Sequence, residues 1–332
     1  MTVKADVTPL YPQKSGSADI TPNPGQALDR DWIASVRVNR SAVERRCASL
    51  GGRRTVKKDW QAAWLLRAMT CIDLTTLDGA DTPGNVQRLC AKARIPLRAD
   101  IARALQVEDL RVGAVCVYPA LVSEAVNALQ GTDIPVASVA AGFPDGLTTL
   151  ASRVAEVESA RQAGAREIDI VIRRGLVLSS DWQGLYDEIR AFRQAAGKTH
   201  LKTILGTGNL VSLTNVARAS LVAMMAGADF IKTSTGKESV NATLPVSLTM
   251  IRQIRDYYER TGFRIGYKPA GGISKAKDSL TYLALIKEEL GNRWLQPDLF
   301  PFGASSLLGD IERQLEHFVT GHYSAAHRHA MG

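Results

Sequence analysis

The chain has 332 residues, 45% of them hydrophobic and 22% charged, with a net charge of +8. That composition suits a soluble globular protein with a sizeable core, and no apolar run approaches the ~20 residues that cross a bilayer. Four cysteines, Cys47, Cys71, Cys90 and Cys116, lie far apart with no CxxC pair, and the N-terminus lacks a charged-then-apolar leader, so reduced thiols in a cytoplasmic protein are expected.

Residues 1 to about 29 are rich in Pro, Ser, Thr, Gly and Asp without a sustained period, and read as a mobile extension. From Asp31 to about Arg67 the pattern turns helical, with Trp32, Ile33, Val36, Val43, Trp60, Ala63, Trp64 and Leu65 as buried candidates. Residues 30–67 are therefore expected to be helices packed on the main body. They carry a basic cluster of Arg45, Arg46, Arg53, Arg54, Lys57 and Lys58. With aromatics at only 6% and no recognised nucleic-acid module, the cluster reads as a solvated face or as mild steering of phosphate substrates, not as a nucleic-acid site.

From residue 68 to about 320 short apolar runs alternate with helical patterns. The runs are Thr70 to Leu74, Gly113 to Tyr118, Ile134 to Ala140, Glu167 to Ile172, His200 to Leu205, Asp229 to Lys232, Arg264 to Lys268 and Leu299 to Gly303. Helices are expected from near Thr82, Pro119, Thr148, Asp181, Ser212, Leu244, Lys275 and Ser305. Alternation of this kind predicts a parallel sheet, and eight units over roughly 250 residues predict an α/β fold of the closed (β/α)8 TIM-barrel type. A doubly wound sheet is the alternative, but the turn after Asp73, LTTLDGADT, is no GxGxxG.

In a barrel the C-terminal strand ends converge on one mouth. Read in order, they bring Asp73 with Thr75 and Thr76, then Cys116, Asp169, Lys202, Lys232, Lys268, and Gly303 with Ser305 and Ser306. Three lysines on three consecutive strands are costly unless used or paired. Each disfavours the charge of the next, while Asp169 can hold an ammonium and exchange its proton. An amine nucleophile, a cationic neighbour and a carboxylate serve carbinolamine formation, dehydration and proton transfer at carbon. A structural Lys–Asp network is the other reading of the same residues. The turns KPAGG (Lys268 to Gly272) and FGASS (Phe302 to Ser306), with Gly236 and Lys237, supply N–H groups, a helix start and a cation for a phosphate.

The strings IDLTTL (Ile72 to Leu77), VCVYP (Val115 to Pro119), ASVAAGFP (Ala137 to Pro144), EIDIVI (Glu167 to Ile172), LKTIL (Leu201 to Leu205), DFIKTSTGK (Asp229 to Lys237), GYKPAGG (Gly266 to Gly272) and FGASSLL (Phe302 to Leu308) resemble the 2-deoxyribose-5-phosphate aldolase family. They occur in that family's order from about Asp59 to Thr320, and RRTVKKDWQAAWLL resembles its longer, animal-type branch. The resemblance implies a class I aldolase that needs neither metal nor cofactor. It cleaves 2-deoxy-D-ribose 5-phosphate reversibly to acetaldehyde and D-glyceraldehyde 3-phosphate, in deoxyribonucleoside catabolism. By motif position it makes Lys232 the Schiff-base lysine, Lys268 the lysine that depresses its pKa, and Asp169 the acid/base carboxylate. Asp73 would support the lysine network, and Asp73, Thr75, Lys202 and Thr235 would serve substrate binding. Gly236, Lys237, Gly271, Gly272, Gly303, Ser305 and Ser306 would hold the phosphate. The implied partners are a sugar phosphate and an aldehyde; a homo-oligomer is compatible with the resemblance, while membrane and nucleic acid are not expected.

Three positions depart from the family. Ser274 stands where many members carry an arginine for the phosphate, so that the phosphate is expected to bind more weakly or to use the adjacent Lys275; Gly206 stands where short bacterial members have Glu, and Tyr323 lies inside a tail that in short members ends in a mobile tyrosine. Residues 321–332 read as a mobile tail, and its histidines, with His317, as an incidental polar cluster and not a metal site. The alternative to the aldolase is a Schiff-base lyase or dehydratase acting on another sugar phosphate with the same lysines; a non-catalytic barrel would have no reason to keep Lys232, Lys268 and Asp169.

Overall fold

A computed structural model of the chain describes residues 21–53, 55–325 and 328. The expected extension up to residue 20, Arg54 of the basic cluster, and His327 and His329 of the tail lie outside the described residues.

Three helices come first: α1 (Arg30–Ser35), α2 (Arg40–Arg53) and α3 (Lys58–Thr70). The face of α3 formed by Ala62, Ala63, Leu65, Leu66, Ala68 and Met69 is buried. Eight parallel strands follow among the described residues: β1 (Ile72–Thr75), β2 (Ala114–Val117), β3 (Val136–Ala140), β4 (Glu167–Val171), β5 (His200–Ile204), β6 (Phe230–Lys232), β7 (Gly266–Lys268) and β8 (Phe302–Ala304). Their order is β7-β6-β5-β4-β3-β2-β1-β8, and one parallel bridge, Ala270↔Gly303, spans β7 and β8. The seam is thin because Pro269, next to that bridge, has no N–H to give a ladder. The result is the nearly closed TIM barrel that the alternating pattern predicts. The connecting helices are α4 (Pro83–Arg94), α5 (Ala99–Leu105), α6 (Val122–Ala128), α7 (Leu150–Gln162), α8 (Arg174–Leu178), α9 (Trp182–Ala196), α10 (Leu213–Met225), α11 (Leu244–Thr261), α12 (Ala276–Leu290) and α13 (Leu307–Thr320). Thr82, Thr149, Asp181, Ser212 and Thr243 each accept a hydrogen bond from the N–H three residues on, closing the starts of α4, α7, α9, α10 and α11. Against α12 and α13, α3 closes one flank of the barrel, and α2 packs on α11 and α12.

Three expectations need correction. Residues 21–29 form no helix or strand, yet they are anchored and not loose. The Asn23 N–H donates to Asp229 Oδ1 at 2.6 Å, its amide donates to the Met224 and Ala228 carbonyls, and the Gln26 N–H donates to the Met225 carbonyl. The first strand starts at Ile72, not Thr70, because α3 runs through Thr70. The last starts at Phe302, since the Leu299 and Phe300 N–H groups are already spent on the Gln296 carbonyl in a turn. In the basic cluster, Arg46 pairs with Glu288 and Glu289 of α12, so part of that positive charge is neutralised within the molecule.

Candidate active site

Strand register brings the titratable groups together. Lys232 on β6 is paired in register with Lys268 on β7, and Asp169 on β4 with Lys202 on β5. Register partners in a parallel sheet point to the same face, and here that face is the barrel interior. Asp73, Asp169, Lys202 and Lys268 are all fully buried, and Lys232 is 3% exposed.

Asp169 is the hub. Its Oδ2 accepts from Lys232 Nζ and from Lys268 Nζ, both at 2.7 Å, and its Oδ1 accepts from Lys202 Nζ at 3.2 Å. Lys268 also donates to Asp73, and Lys202 to Glu167. A single glycine makes room for this: a Cβ on Gly303 would stand 2.8 Å from the Ala270 Cβ and 3.2 Å from Lys268 Cε.

The two lysines that share an Asp169 oxygen differ in protonation. Burial pulls the Lys232 amine below its ordinary value, and the Lys268 charge adds to that against the counter-pull of Asp169. Burial opposes the charge of Lys268 too, but Asp169 and Asp73 outweigh it and hold its ammonium well above the usual lysine range. Asp169 itself stays ionised: burial resists, but Lys202, Lys232 and Lys268 together hold it well below the usual carboxylate range. One amine can therefore become a nucleophile while its neighbour keeps its proton.

Lys232 opens into a cavity of about 270 Å3. Thr75, Leu77, Thr235, Gly236, Lys237, Ala270, Gly271, Gly272, Ile273, Ser274, Gly303, Ala304, Ser305 and Ser306 complete its walls. Of the residues read from the sequence, Thr75, Thr235 and the whole phosphate set line this cavity. Asp73 and Lys202 do not: they lie beneath it, one against Lys268 and the other between Asp169 and Glu167. Both touch the groups that charge and discharge Lys232, as the lysine-network role expected of Asp73 requires. Lys275, considered as a stand-in for the family arginine, does not line the cavity, whereas the exposed Ser274 does.

At Gly206, φ is +64° and the Arg174 side chain lies across the Cα, leaving no acid at that place. Tyr323 stacks on His317 at 4.1 Å between ring centres, close to the C-terminal end of α13. The cavity lies at the other end of that helix, about 20 Å of helix away. Cys116 is fully buried, and burial followed by the nearby Asp73 pushes its thiol up to about 12, so it remains a thiol. Asp73, Cys116 and Asp169 present ligand atoms within 4.8 Å of one another, but Lys268 already bridges both carboxylates and the charge of the lysines around them repels a dication.

Two acids escaped the sequence reading. Glu167 shares the inward face of β4 with Asp169, which its two-residue spacing would have signalled. Glu238 folds back on the loop after β6, and its only sequence signal is its place three residues after Thr235.

The family model described as DeoC/LacD family aldolase matches residues 67–308. The chain is similar to the deoxyribose-phosphate aldolase of Homo sapiens, 60% identical over 309 residues that cover 92% of this chain and 97% of that one. It is 61% identical over 307 residues to the same-named protein of Mus musculus, covering 91% and 96%. Among solved structures, the tetrameric deoxyribose phosphate aldolase of Aeropyrum pernix shares the fold at a TM-score of 0.56 and 19% identity, over 84% of this chain and 99% of that one.

Proposed function

We infer that this chain, which belongs to the DeoC/LacD family of aldolases, reversibly cleaves 2-deoxy-D-ribose 5-phosphate to acetaldehyde and D-glyceraldehyde 3-phosphate. It is a carbon–carbon lyase, and the reaction runs through a Schiff base on Lys232. The observation that carries the mechanism is that, of the three buried lysines around Asp169, Lys232 lines the cavity and is the one whose pKa is lowered.

In the cleavage direction the neutral Lys232 amine attacks the aldehyde carbon of the open-chain sugar. The carbinolamine takes a proton from the Lys268–Asp169 pair and loses water, leaving an iminium. Return of the C3 hydroxyl proton to the same Lys268–Asp169 pair breaks the C2–C3 bond. The electron pair moves into an enamine, and C3 leaves as the aldehyde carbon of glyceraldehyde 3-phosphate. Protonation of the enamine carbon and hydrolysis release acetaldehyde and the free amine. Asp73 and Lys202 hold the charge balance of Lys268 and Asp169 from below. Thr75 and Thr235 face the sugar, and Gly236, Lys237, Gly271, Gly272, Gly303, Ser305 and Ser306 face the phosphate at the end of the cavity where α13 begins.

A cytoplasmic catabolic enzyme assembled from several copies of the chain fits this reading, given four free buried cysteines and the tetrameric Aeropyrum pernix relative. Among the described residues no helix is long and apolar enough to cross a membrane.

Borohydride reduction in the presence of 2-deoxyribose 5-phosphate tests the mechanism. The wild-type chain should gain the reduced acetaldehyde or sugar adduct on the peptide containing Lys232. Lys232→Arg should gain none and lose turnover, because a guanidinium stays charged and cannot form the imine. An adduct on another lysine, or turnover retained in Lys232→Arg, overturns the assignment.

A further inference from the structure

The loop after β6 ends in an arrangement that the reaction does not use. One half-buried carboxylate, Glu238, gathers three donors of the cavity wall. Its oxygens accept from the Thr235 N–H at 2.9 and 3.1 Å, from the Thr235 hydroxyl at 2.7 Å and from the Gly236 N–H at 3.2 Å. Thr235 and Gly236 both line the cavity. Gly236 has φ +87° with open space where a Cβ would stand, so two successive N–H groups turn toward one anion, as in the backbone nests that bind phosphates. The nest is held in shape around the acid: the Lys237 N–H donates to the Thr235 hydroxyl oxygen at 3.1 Å, and the Asn241 amide donates to the Glu238 carbonyl at 2.9 Å.

We propose that the Glu238 carboxylate is an internal stand-in for the substrate's phosphate, seated on the Thr235–Gly236 N–H groups in the empty enzyme and given up when the phosphate enters. The inference rests on the reading of Gly236 and Lys237 as part of the phosphate site. A carboxylate and a phosphate dianion cannot share one pair of N–H groups, because their like charges repel at contact distance. The substrate therefore binds only the fraction of molecules whose nest is open, and its apparent affinity is reduced by that fraction. In return, three donors of the cavity wall keep a fixed acceptor between turnovers, and Thr235 keeps one orientation. The acid is thus a specificity residue. It weakens the grip on the phosphate.

Glu238→Gln tests this, since the amide oxygen can still accept from the Thr235 N–H and the charge is gone. Calorimetric titration with inorganic phosphate should show affinity rising roughly threefold to tenfold, the scale of a partly exposed charged contact removed. The KM for 2-deoxyribose 5-phosphate should fall by a similar factor, and by more than any change in the KM for unphosphorylated 2-deoxyribose, which has no phosphate to compete for the nest. Glu238→Ser, which removes both charge and reach, should tighten phosphate in the same direction; it serves as the second variant if the first folds poorly by thermal melting. Unchanged phosphate affinity in a folded variant overturns the inference. So does a rise in KM for both sugars together, which marks Glu238 as a loop clamp. If the wild-type chain fails to cleave 2-deoxyribose 5-phosphate while phosphate still binds more tightly to the variant, the functional reading fails and the occupied nest stands.

Discussion

Replacing Lys268 with Met should disable Lys232 without touching it. Both ammonium nitrogens lie 2.7 Å from the same Asp169 oxygen. They are thus no more than about 5.4 Å apart, a separation at which two unit charges repel by about 3 kcal/mol in an effective dielectric of ~20. Removing that repulsion, and leaving Asp169 more fully to Lys232, raises the Lys232 pKa toward its ordinary value. By the conversion of about 1.4 kcal/mol per tenfold, the neutral-amine population near neutral pH drops by on the order of 10²-fold. The acid limb of the kcat/KM profile, where activity rises as Lys232 loses its proton, moves to higher pH. Loss of the Lys268 proton lowers activity further, and that part does not recover with alkali, so high pH restores the rate only in part. The assay is production of glyceraldehyde 3-phosphate from 2-deoxyribose 5-phosphate across the pH range. Asp73 would be left buried and unpaired, a change that costs about 3–5 kcal/mol in broken buried pairs. Adding Asp73→Asn removes the stranded charge, and the double variant should keep the displaced limb with better thermal stability. A folded variant whose acid limb stays at the wild-type pH would refute the claim that Lys268 sets the state of Lys232.

Two further substitutions probe the cavity wall. Ser274→Arg places a guanidinium at an exposed wall position; a charged hydrogen bond is worth about 1.5–3 kcal/mol before solvent screening reduces it. The KM for 2-deoxyribose 5-phosphate should fall several-fold with that for 2-deoxyribose unchanged, and equal effects on both would show that position 274 does not face the phosphate. Gly303→Ala puts a methyl 2.8 Å from the Ala270 Cβ and 3.2 Å from Lys268 Cε. Overpacking of this kind costs about 1–3 kcal/mol. Because one neighbour is Lys268, kcat should fall along with the melting temperature, while activity at the wild-type level would mean that Lys268 tolerates displacement.

What the sequence disclosed, and what it withheld, divides along the distance over which each residue acts. Lys232, Lys268 and Asp169 stood out because a charge within a three- to five-residue apolar strand has no local partner, so the strand itself announces a use elsewhere. The helix starts near Thr82, Asp181 and Ser212 were legible for the opposite reason: each is closed by a bond three residues along its own chain. Lys202 was harder to place because an apolar strand shows only that its lysine points inward, not at which depth of the barrel it stops. Depth follows from register, and register set Lys202 level with Asp169, where it meets Glu167 and Asp169, not the cavity. The short helices Ala99–Leu105 and Arg174–Leu178 span too few turns to show a period. Residues 21–29 looked unanchored because their partner, Asp229, lies more than two hundred positions away and is also held by Arg193 at 2.7 Å and the Leu201 N–H at 2.7 Å. Its carboxylate is therefore committed at the foot of β6, the strand whose other end delivers Lys232. The segment that begins the described chain is tied to the strand that carries the nucleophile, and the tie consists of hydrogen bonds that no local pattern could reveal.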